Sequence, residues 1–292
     1  MCSAVSHAPR AGRDQRGKTS VPAAVPGIGR QAKYIISDER RFIYFVVPKV
    51  ACSSIKTALL SLFDVDATEY EFIQEDDTPD LDVHRLFAGS GYQINKNQLI
   101  RRMDRGRYRE HFKFAFVRNP WDRLVSCYSE KVMDVKETEL GEPPFRKVPS
   151  EKGSKLYKGM PFAEFVETVC EIPDDEANMH FISQHVVVCG PGRDSQIMAD
   201  FVGRFENLAA DFAVVAEKIG GARRLQLPHK LRSTSRKSRP YTEFYDDRLR
   251  DLVYERYRED IEIFNYSFGD SHSLPPLWRR DSRTASGRDK PA

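Results

Sequence analysis

Two short runs of consecutive apolar residues, rich in aromatic and β-branched side chains, constrain the fold of this chain most. The runs are Arg41–Val47 (RFIYFVV) and Phe112–Val117 (FKFAFV). Residues that are apolar at almost every position are typical of strands buried on both faces, as in a parallel sheet. A shorter run at Phe201–Phe205 has the same character. We therefore expect these segments to form strands of one sheet.

Each run is followed by signals for the start of a helix. The paired serines after the first run can cap a helix there, and Asn119 can cap one that has Pro120 at its first position. A helix is predicted from about Leu208 to Ile219 after the third run, and a last long helix near Phe244–Asp260. Strands that alternate with helices predict an α/β fold with a mainly parallel central sheet.

The formal net charge of +3 is divided unevenly along the chain. Residues 1–33 carry six basic residues and one acidic residue, and residues 279–292 carry five and two. The part between them has 35 basic and 40 acidic residues. A nucleic-acid-binding domain carries its basic excess on the folded part, so this class is disfavoured. The composition predicts one domain over residues 34–278 between two flexible tails.

The sequence shows no signal for a membrane span or for secretion. It has no run of eighteen apolar residues and no apolar N-terminal stretch typical of a signal peptide. The five cysteines are scattered and form no CxxC pair, which argues against a disulfide framework and a zinc site. We therefore expect a cytoplasmic protein without an integral membrane segment.

The loop after the first run combines groups that bind anions. It comprises Pro48, Lys49, Val50, Ala51 and Cys52, and it leads to Ser53 and Ser54. A lysine, loop amides and two hydroxyls beside a helix N-terminus supply the charge and donors that a phosphate-like group needs. The Walker pattern GxxxxGK[ST] is absent. The alternative is an ordinary turn between strand and helix with a solvated lysine.

A second candidate loop follows the second run. Arg118 comes directly after the strand, and Ser126 lies eight residues later. Arg118 can bind an anion through two N–H groups, and Ser126 adds a hydroxyl about two helical turns on. The alternative for Arg118 is a surface ion pair at a helix start. Together, the two loops indicate a ligand with two anionic groups.

Two motifs carry a resemblance to a known family. VPKVACSSIK (Val47–Lys56) and FKFAFVRNPWDRLVSCYSEK (Phe112–Lys131) resemble the 5′-phosphosulfate and 3′-phosphate loops of carbohydrate sulfotransferases. These enzymes use 3′-phosphoadenosine 5′-phosphosulfate (PAPS), and the most similar group sulfates chondroitin, dermatan and the glucuronyl natural-killer epitope. The resemblance extends in outline over Phe42–Phe268. It implies a P-loop-like three-layer α/β fold.

The resemblance also implies a reaction. The chain would move the sulfuryl group of PAPS to a hydroxyl of a carbohydrate or another hydroxyl-bearing acceptor, without a metal ion. By position, Pro48–Ser54 would hold the 5′-phosphosulfate and Arg118–Ser126 the 3′-phosphate. Lys49 would offset the charge that grows on the leaving phosphate.

A histidine is the expected general base, because its ordinary pKa suits proton transfer near neutral pH. His84 lies between the two loops, where the family often carries its histidine, and is the first candidate. His180 is the second. The carboxylates of Glu75, Asp76 and Asp77 are the remaining alternatives.

Two other functions stay open at this point. A nucleotide kinase would need a Walker loop and a magnesium-binding acid, and neither is evident. A non-catalytic protein that binds anionic glycans would be expected to lose Lys49, Arg118 or Ser126, yet all three are present. The basic stretch Arg223–Arg239 could contact an anionic polymer or form a solvated loop.

Overall fold

The computed structural model describes residues 31–66, 68, 71–73, 79–133, 156–157, 159–191, 196–220, 225–228, 239–270 and 274–278. The strands are β1 (Lys33–Ser37), β2 (Phe42–Val46), β3 (Glu71–Ile73), β4 (Pro79–Leu81), β5 (Gln93–Asn95), β6 (Phe112–Val117), β7 (Phe201–Arg204) and β8 (Leu277–Trp278). The α-helices are α1 (Cys52–Leu60), α2 (Val83–Gly89), α3 (Lys96–Asp104), α4 (Pro120–Tyr128), α5 (Phe162–Cys170), α6 (Gln184–Val188), α7 (Leu208–Lys218), α8 (Asp247–Arg256) and α9 (Arg258–Phe264).

Six strands form one sheet in the order β5-β1-β2-β6-β7-β8, and β3 and β4 form a separate antiparallel ribbon. The central strands β2, β6 and β7 are parallel, with Ala115 of β6 opposite Phe45 on one side and Val202 on the other. The strands β1 and β8 are antiparallel to their inner neighbours, and β5 is antiparallel to β1. Four of the six strands therefore point the same way. The predicted α/β fold with a mostly parallel sheet is confirmed.

The buried apolar side chains form two clusters. One surrounds the sheet, where the rings of Tyr44 and Phe114 stack with centroids 5.2 Å apart. The other joins α4, α5, α8 and α9, and Trp121, Phe165 and Val253 are buried in it. Helix α4 belongs to the second cluster but begins three residues after β6 ends. The loop between β6 and α4 therefore lies where the two clusters meet.

The start of α1 differs from the prediction. The helix begins at Cys52 and its N-cap is Ala51, which has a left-handed backbone (φ 61°) and makes no side-chain capping bond. The prediction that a serine caps this helix is therefore wrong. Ser53 and Ser54 lie in the first turn of the helix instead.

The last long helix is also different, because it is divided into α8 and α9 at Tyr257. The Tyr257 side chain is buried, and its hydroxyl donates to the carbonyl of Phe181 at 2.6 Å. This contact anchors the break to the segment before α6. Strand β1, which begins at Lys33, was not predicted, because its apolar stretch is short and follows a Gly-rich segment.

Most of the two predicted tails and of the basic stretch Arg223–Arg239 lies outside the described residues. Among the helices that the structure describes, none has the length and apolar character needed to cross a membrane.

Gly203 in β7 lies against the ring of Phe116 in β6. A Cβ atom on Gly203 would stand 2.5 Å from Phe116 Cε1 and 3.1 Å from Asp211 Cβ. Because overpacking a dense core is costly, we expect Gly203→Ala to lower the free energy of unfolding by about 1–3 kcal/mol. Gly190→Ala is the matched control, since the nearest atom would be 3.8 Å away. Urea unfolding measures both variants, and equal stabilities would contradict the packing argument.

Candidate functional site

The two predicted loops lie side by side at one edge of the sheet, because β2 and β6 are parallel neighbours. This is the edge where open α/β sheets bind their ligands. Arg118 Nη1 donates to the carbonyl oxygen of Lys49 at 3.0 Å. Arg123 Nε donates to the carbonyl oxygen of Pro48 at 3.1 Å. Both arginines are buried. Their bonds to the carbonyl oxygens of Pro48 and Lys49 join the two loops into one site.

The backbone of the first loop is strained. Lys49 and Ala51 have positive φ values of 68° and 61°. Each left-handed residue other than glycine costs about 1–2 kcal/mol, and such strain is concentrated at ligand-binding sites. The loop leads into the first turn of α1, whose N–H groups lack acceptors within the helix. An anion at this position would meet backbone donors, the positive end of the helix dipole and the hydroxyls of Ser53 and Ser54.

The Lys49 side chain is buried, and its ammonium forms an ion pair with Glu130. Glu130 lies on the π-helical turn Ser129–Met133 that continues α4, and it also pairs with Lys131 at 3.0 Å. Burial raises the pKa of Glu130, but the charges of Lys49 and Lys131 outweigh this effect and lower the pKa to about 2. Glu130 is not among the site residues predicted from the sequence, although it lies four residues after Ser126 on the continuation of the same helix.

The Arg118 guanidinium is mostly engaged by protein groups. Its Nε donates to Asp122 Oδ2 at 2.7 Å, Nη1 is bound to the first loop, and the ring of Phe205 lies 3.9 Å from the guanidinium carbon. In the described part of the chain, Nη2 is buried and has no hydrogen-bond partner. Unpartnered buried donors are rare, and an anionic oxygen would satisfy this one. In this arrangement Arg118 offers a ligand one nitrogen, not the predicted two.

The rest of the second loop is held by the protein. The side chain of Gln184 accepts from the backbone N–H of Arg118 and donates to its carbonyl, both at 2.9 Å. Asn119 Oδ1 accepts from the N–H of Trp121 at 3.1 Å, as expected for the predicted helix cap. Ser126 lies half-buried on α4.

His84 lies in the first turn of α2 and contacts α1 beside the first loop. Its Nε2 is 2.8 Å from Ser53 Oγ, and its Nδ1 is 3.1 Å from Lys56 Nζ. Desolvation of the imidazole and the positive charge of Lys56 lower the pKa of His84 to about 4. The imidazole is therefore neutral at neutral pH.

His180 approaches the site from the segment before α6. Its carbonyl oxygen accepts from Arg123 Nη2 at 3.5 Å, and its Nδ1 is 2.7 Å from Asn178 Oδ1. Burial and the positive charges of Lys131 and Lys49 lower the pKa of His180 to about 3. His180 is the second candidate from the sequence, and the bond from Arg123 shows that the fold brings its segment to the first loop.

Another histidine of the same segment, His185, lies in a different environment. It is held between Asp260 Oδ1 at 2.8 Å and Glu259 Oε2 at 3.2 Å, where it serves the packing of α6 against α9. The predicted alternatives Glu75, Asp76 and Asp77 lie outside the described residues. Within the described ranges, no group of three or more His, Cys, Asp or Glu side chains could hold a metal ion.

Comparisons with known proteins agree on one family. The family model described as "Sulfotransferase family" matches residues 32–267. The chain is 29% identical over 203 residues to carbohydrate sulfotransferase 14 of Danio rerio, which covers 67% of this chain and 50% of the relative. It is 26% identical over 243 residues to carbohydrate sulfotransferase 11 of Mus musculus, which covers 80% of this chain and 66% of the relative.

The match to carbohydrate sulfotransferase 14 of Homo sapiens is 28% identical over 197 residues and covers 48% of that protein. The chain thus spans about half the length of the first curated relatives that it matches. No solved structure matches the chain significantly.

His84→Gln should reduce the loss of thermal stability on acidification. Folding lowers the pKa of His84 from its ordinary value of 6.5 to about 4. The unfolded chain therefore binds the proton more tightly, and stability falls as the pH drops from about 6.5 towards 4. Without the imidazole this contribution disappears, so the difference in Tm between pH 7 and pH 5 should shrink.

His185→Gln is the control with the opposite sign. Burial lowers the pKa of His185, but the hydrogen bond and charge of Asp260 outweigh it and raise the pKa above 6.5. Protonated His185 therefore stabilises the fold below its ordinary pKa, and this contribution is lost as the pH rises through the raised value. Its removal should enlarge the loss of Tm between pH 7 and pH 5. Differential scanning fluorimetry measures Tm for both variants. If both substitutions change the loss of Tm between pH 7 and pH 5 in the same direction, the opposite pKa shifts of His84 and His185 are refuted.

Proposed function

The chain belongs to the sulfotransferase family, and on that premise we propose that it transfers the sulfuryl group of PAPS to a hydroxyl of a carbohydrate acceptor. The names of the relatives described above, carbohydrate sulfotransferases 14 and 11, support this class of acceptor. We also propose that the fold is the P-loop-like three-layer type. The parallel centre of the sheet and the unit formed by β2, the first loop and α1 support this assignment.

The observation that carries the proposal is the direct contact between the two loops. The Arg118 guanidinium donates to the Lys49 carbonyl and keeps its buried Nη2 without a partner in the described part of the chain. PAPS has two anionic ends, a 5′-phosphosulfate and a 3′-phosphate. The first loop offers a strained turn and a helix N-terminus for one end, and Arg118 with Ser126 offers donors for the other.

The proposed roles follow from the position of each group. PAPS supplies an activated sulfuryl group whose leaving group is a phosphate. The ammonium of Lys49, together with the N–H groups of Val50, Ala51, Cys52, Ser53 and Ser54, would stabilise negative charge at the 5′ end. To do so, Lys49 has to exchange its bond to Glu130 for a bond to the ligand.

The identity of the general base stays a prediction, with His84 as the first candidate and His180 as the second. Both imidazoles are neutral at neutral pH. The expected cytoplasmic location also stays a prediction, and fractionation of cells that express the full chain would check it.

Adenosine 3′,5′-bisphosphate should protect the chain against thermal unfolding more than ATP does. At equal concentration, a ligand of the native state raises Tm more the more tightly it binds, and ATP lacks the 3′-phosphate that Arg118 Nη2 would bind. Ser126→Ala should reduce the difference in Tm between the chain with bisphosphate and the chain with adenosine 5′-monophosphate. The reason is that only the bisphosphate has a 3′-phosphate that would contact the Ser126 hydroxyl. Equal protection by ATP and bisphosphate would refute the proposal that one loop binds the 5′ end of the ligand and the other binds its 3′-phosphate.

Lys49→Ala should lower turnover by at least about a hundredfold while it weakens bisphosphate binding much less. The reason is that the charge on the leaving phosphate is largest in the transition state. The assay uses sulfur-labelled PAPS and a panel of glycans, followed by mass analysis for an added sulfate. Lys49→Arg is the matched control that keeps the charge. Near-normal turnover in Lys49→Ala would remove Lys49 from the mechanism, and no transfer by the wild-type chain to any acceptor would refute the function.

A further inference from the structure

The hydrogen bonds around His84 determine which ring nitrogen carries its proton. Lys56 is buried, and its ammonium can only donate, so His84 Nδ1 accepts this bond. In the neutral imidazole the proton then lies on Nε2, which donates to Ser53 Oγ. Both nitrogens of His84 are thus engaged. In this arrangement His84 is a hydrogen-bond donor towards the first loop and has no lone pair for the proton of an acceptor hydroxyl.

The bonds around His180 fix the opposite tautomer. Asn178 Oδ1 accepts from the backbone N–H of His180 at 3.0 Å. Because a backbone N–H can only donate, this atom is the amide oxygen and not the nitrogen. The same oxygen is 2.7 Å from His180 Nδ1, so Nδ1 carries the proton. The lone pair of His180 is therefore on Nε2, and in the described part of the chain the hydrogen bonds of His180 involve its backbone and Nδ1 only.

His180 is also tied to the first loop. The guanidinium of Arg123 donates through Nε to the carbonyl of Pro48 and through Nη2 to the carbonyl of His180. One buried side chain therefore links the residue before Lys49 to the histidine. The charges that act on the imidazole are those of Lys131, Lys49, Glu130 and Arg123. His180 is thus joined to the first loop through Arg123.

Glu130 is a weaker candidate for proton transfer, although it touches Lys49. Its carboxylate is paired with Lys49 and Lys131. Burial raises the pKa of Glu130, but these two positive charges outweigh that effect and lower the pKa to about 2. A carboxylate held this firmly in its charged form has little affinity for a proton.

We propose that His180 is the general base of the transfer reaction, and that Asn178 is the positioning residue that keeps its lone pair on Nε2. This inference rests on the proposed function. In the step, the acceptor oxygen forms a bond to sulfur while the bond between sulfur and the leaving phosphate oxygen breaks. The leaving phosphate takes the electron pair of that bond, and His180 Nε2 takes the acceptor proton. His84 then serves the first loop as a donor through Ser53.

The first arm of the test measures turnover with the labelled PAPS assay. His180→Ala should lose about 10²- to 10⁴-fold in turnover, the usual contribution of a general base, and added imidazole should restore part of it. Bisphosphate binding, measured by calorimetry, should stay within about threefold of wild type. His84→Gln tests the competing assignment and should lose much less turnover than His180→Ala, because a glutamine amide can still donate to Ser53. His185→Gln is the matched control, because Asp260 and Glu259 hold this histidine against α9, and it should keep wild-type turnover at pH 7.

The second arm reports on Asn178. Asn178→Asp keeps an oxygen acceptor but adds a negative charge beside His180 Nδ1, which raises the pKa of the imidazole. The pH at which turnover falls on acidification should therefore move upward by about one unit or more. Asn178→Ala should lose turnover without this shift. A residue with only a structural role would not move the pH profile.

The third arm does not depend on turnover. Nitrogen-15 NMR of the ring nitrogens in the bisphosphate complex should show a protonated Nδ1 on His180 and a protonated Nε2 on His84 at pH 7. The proposal holds if His180→Ala is slow and rescued by imidazole and the His180 tautomer is as stated. Retained turnover in His180→Ala, a protonated Nε2 on His180, or a loss confined to His84→Gln overturns it. An inactive wild-type chain instead refutes the proposed function, and the inference fails with it.

Discussion

Parallel pairing of β2 with β6 is the constraint on which the rest of the site depends. It brings the ends of both strands to one edge of the sheet, so that the residues after them become neighbours although they are far apart in sequence. The hydrogen bond from Arg118 to the Lys49 carbonyl oxygen then connects the two loops directly. Because the guanidinium is buried and also bound to Asp122, the loops keep a fixed separation. A ligand with two anionic groups at a defined distance fits such a site.

Two cations of the site are paired with carboxylates of the protein, Lys49 with Glu130 and Arg118 with Asp122. Arg123 donates to backbone carbonyls instead. Ligand binding therefore exchanges one anionic partner for another at Lys49, a process that costs less than exposing a buried charge. At Arg118 the orphaned Nη2 can gain an acceptor while the bonds to Asp122 and Lys49 remain. The two loops thus differ in how they would respond to a ligand.

Local signals in the sequence were enough to predict the two units in which a central strand is followed by a loop and a helix. These are β2 with α1 and β6 with α4. The central strands are apolar at almost every position, and Asn119 with Pro120 marks the start of α4. The serine cap of α1 was wrong, because a left-handed Ala51 ends the loop and local preferences do not reveal that strain. The break at Tyr257 carries no Gly or Pro, so only its tertiary bond to Phe181 explains it.

The partners of the candidate residues could not be predicted in the same way. Glu130 reaches Lys49 only because α4 continues as a π-helical turn, and the pattern of the sequence does not distinguish this turn from an ordinary helix. Which of His84 and His180 is the better candidate for the general base likewise depends on contacts with Lys56 and Asn178. These two contact residues come from different elements. Residue types and their position along the chain identified both histidines, but hydrogen bonds assign their protons.

The central claim is that both loops hold one doubly anionic ligand, and a crystal structure of the chain with adenosine 3′,5′-bisphosphate tests it most directly. The account predicts the 5′-phosphate on the N–H groups at the start of α1, with Lys49 turned from Glu130 towards it. It also predicts an oxygen of the 3′-phosphate within hydrogen-bonding distance of Arg118 Nη2. A bisphosphate bound elsewhere, or one that leaves Arg118 Nη2 without a partner, would contradict the account.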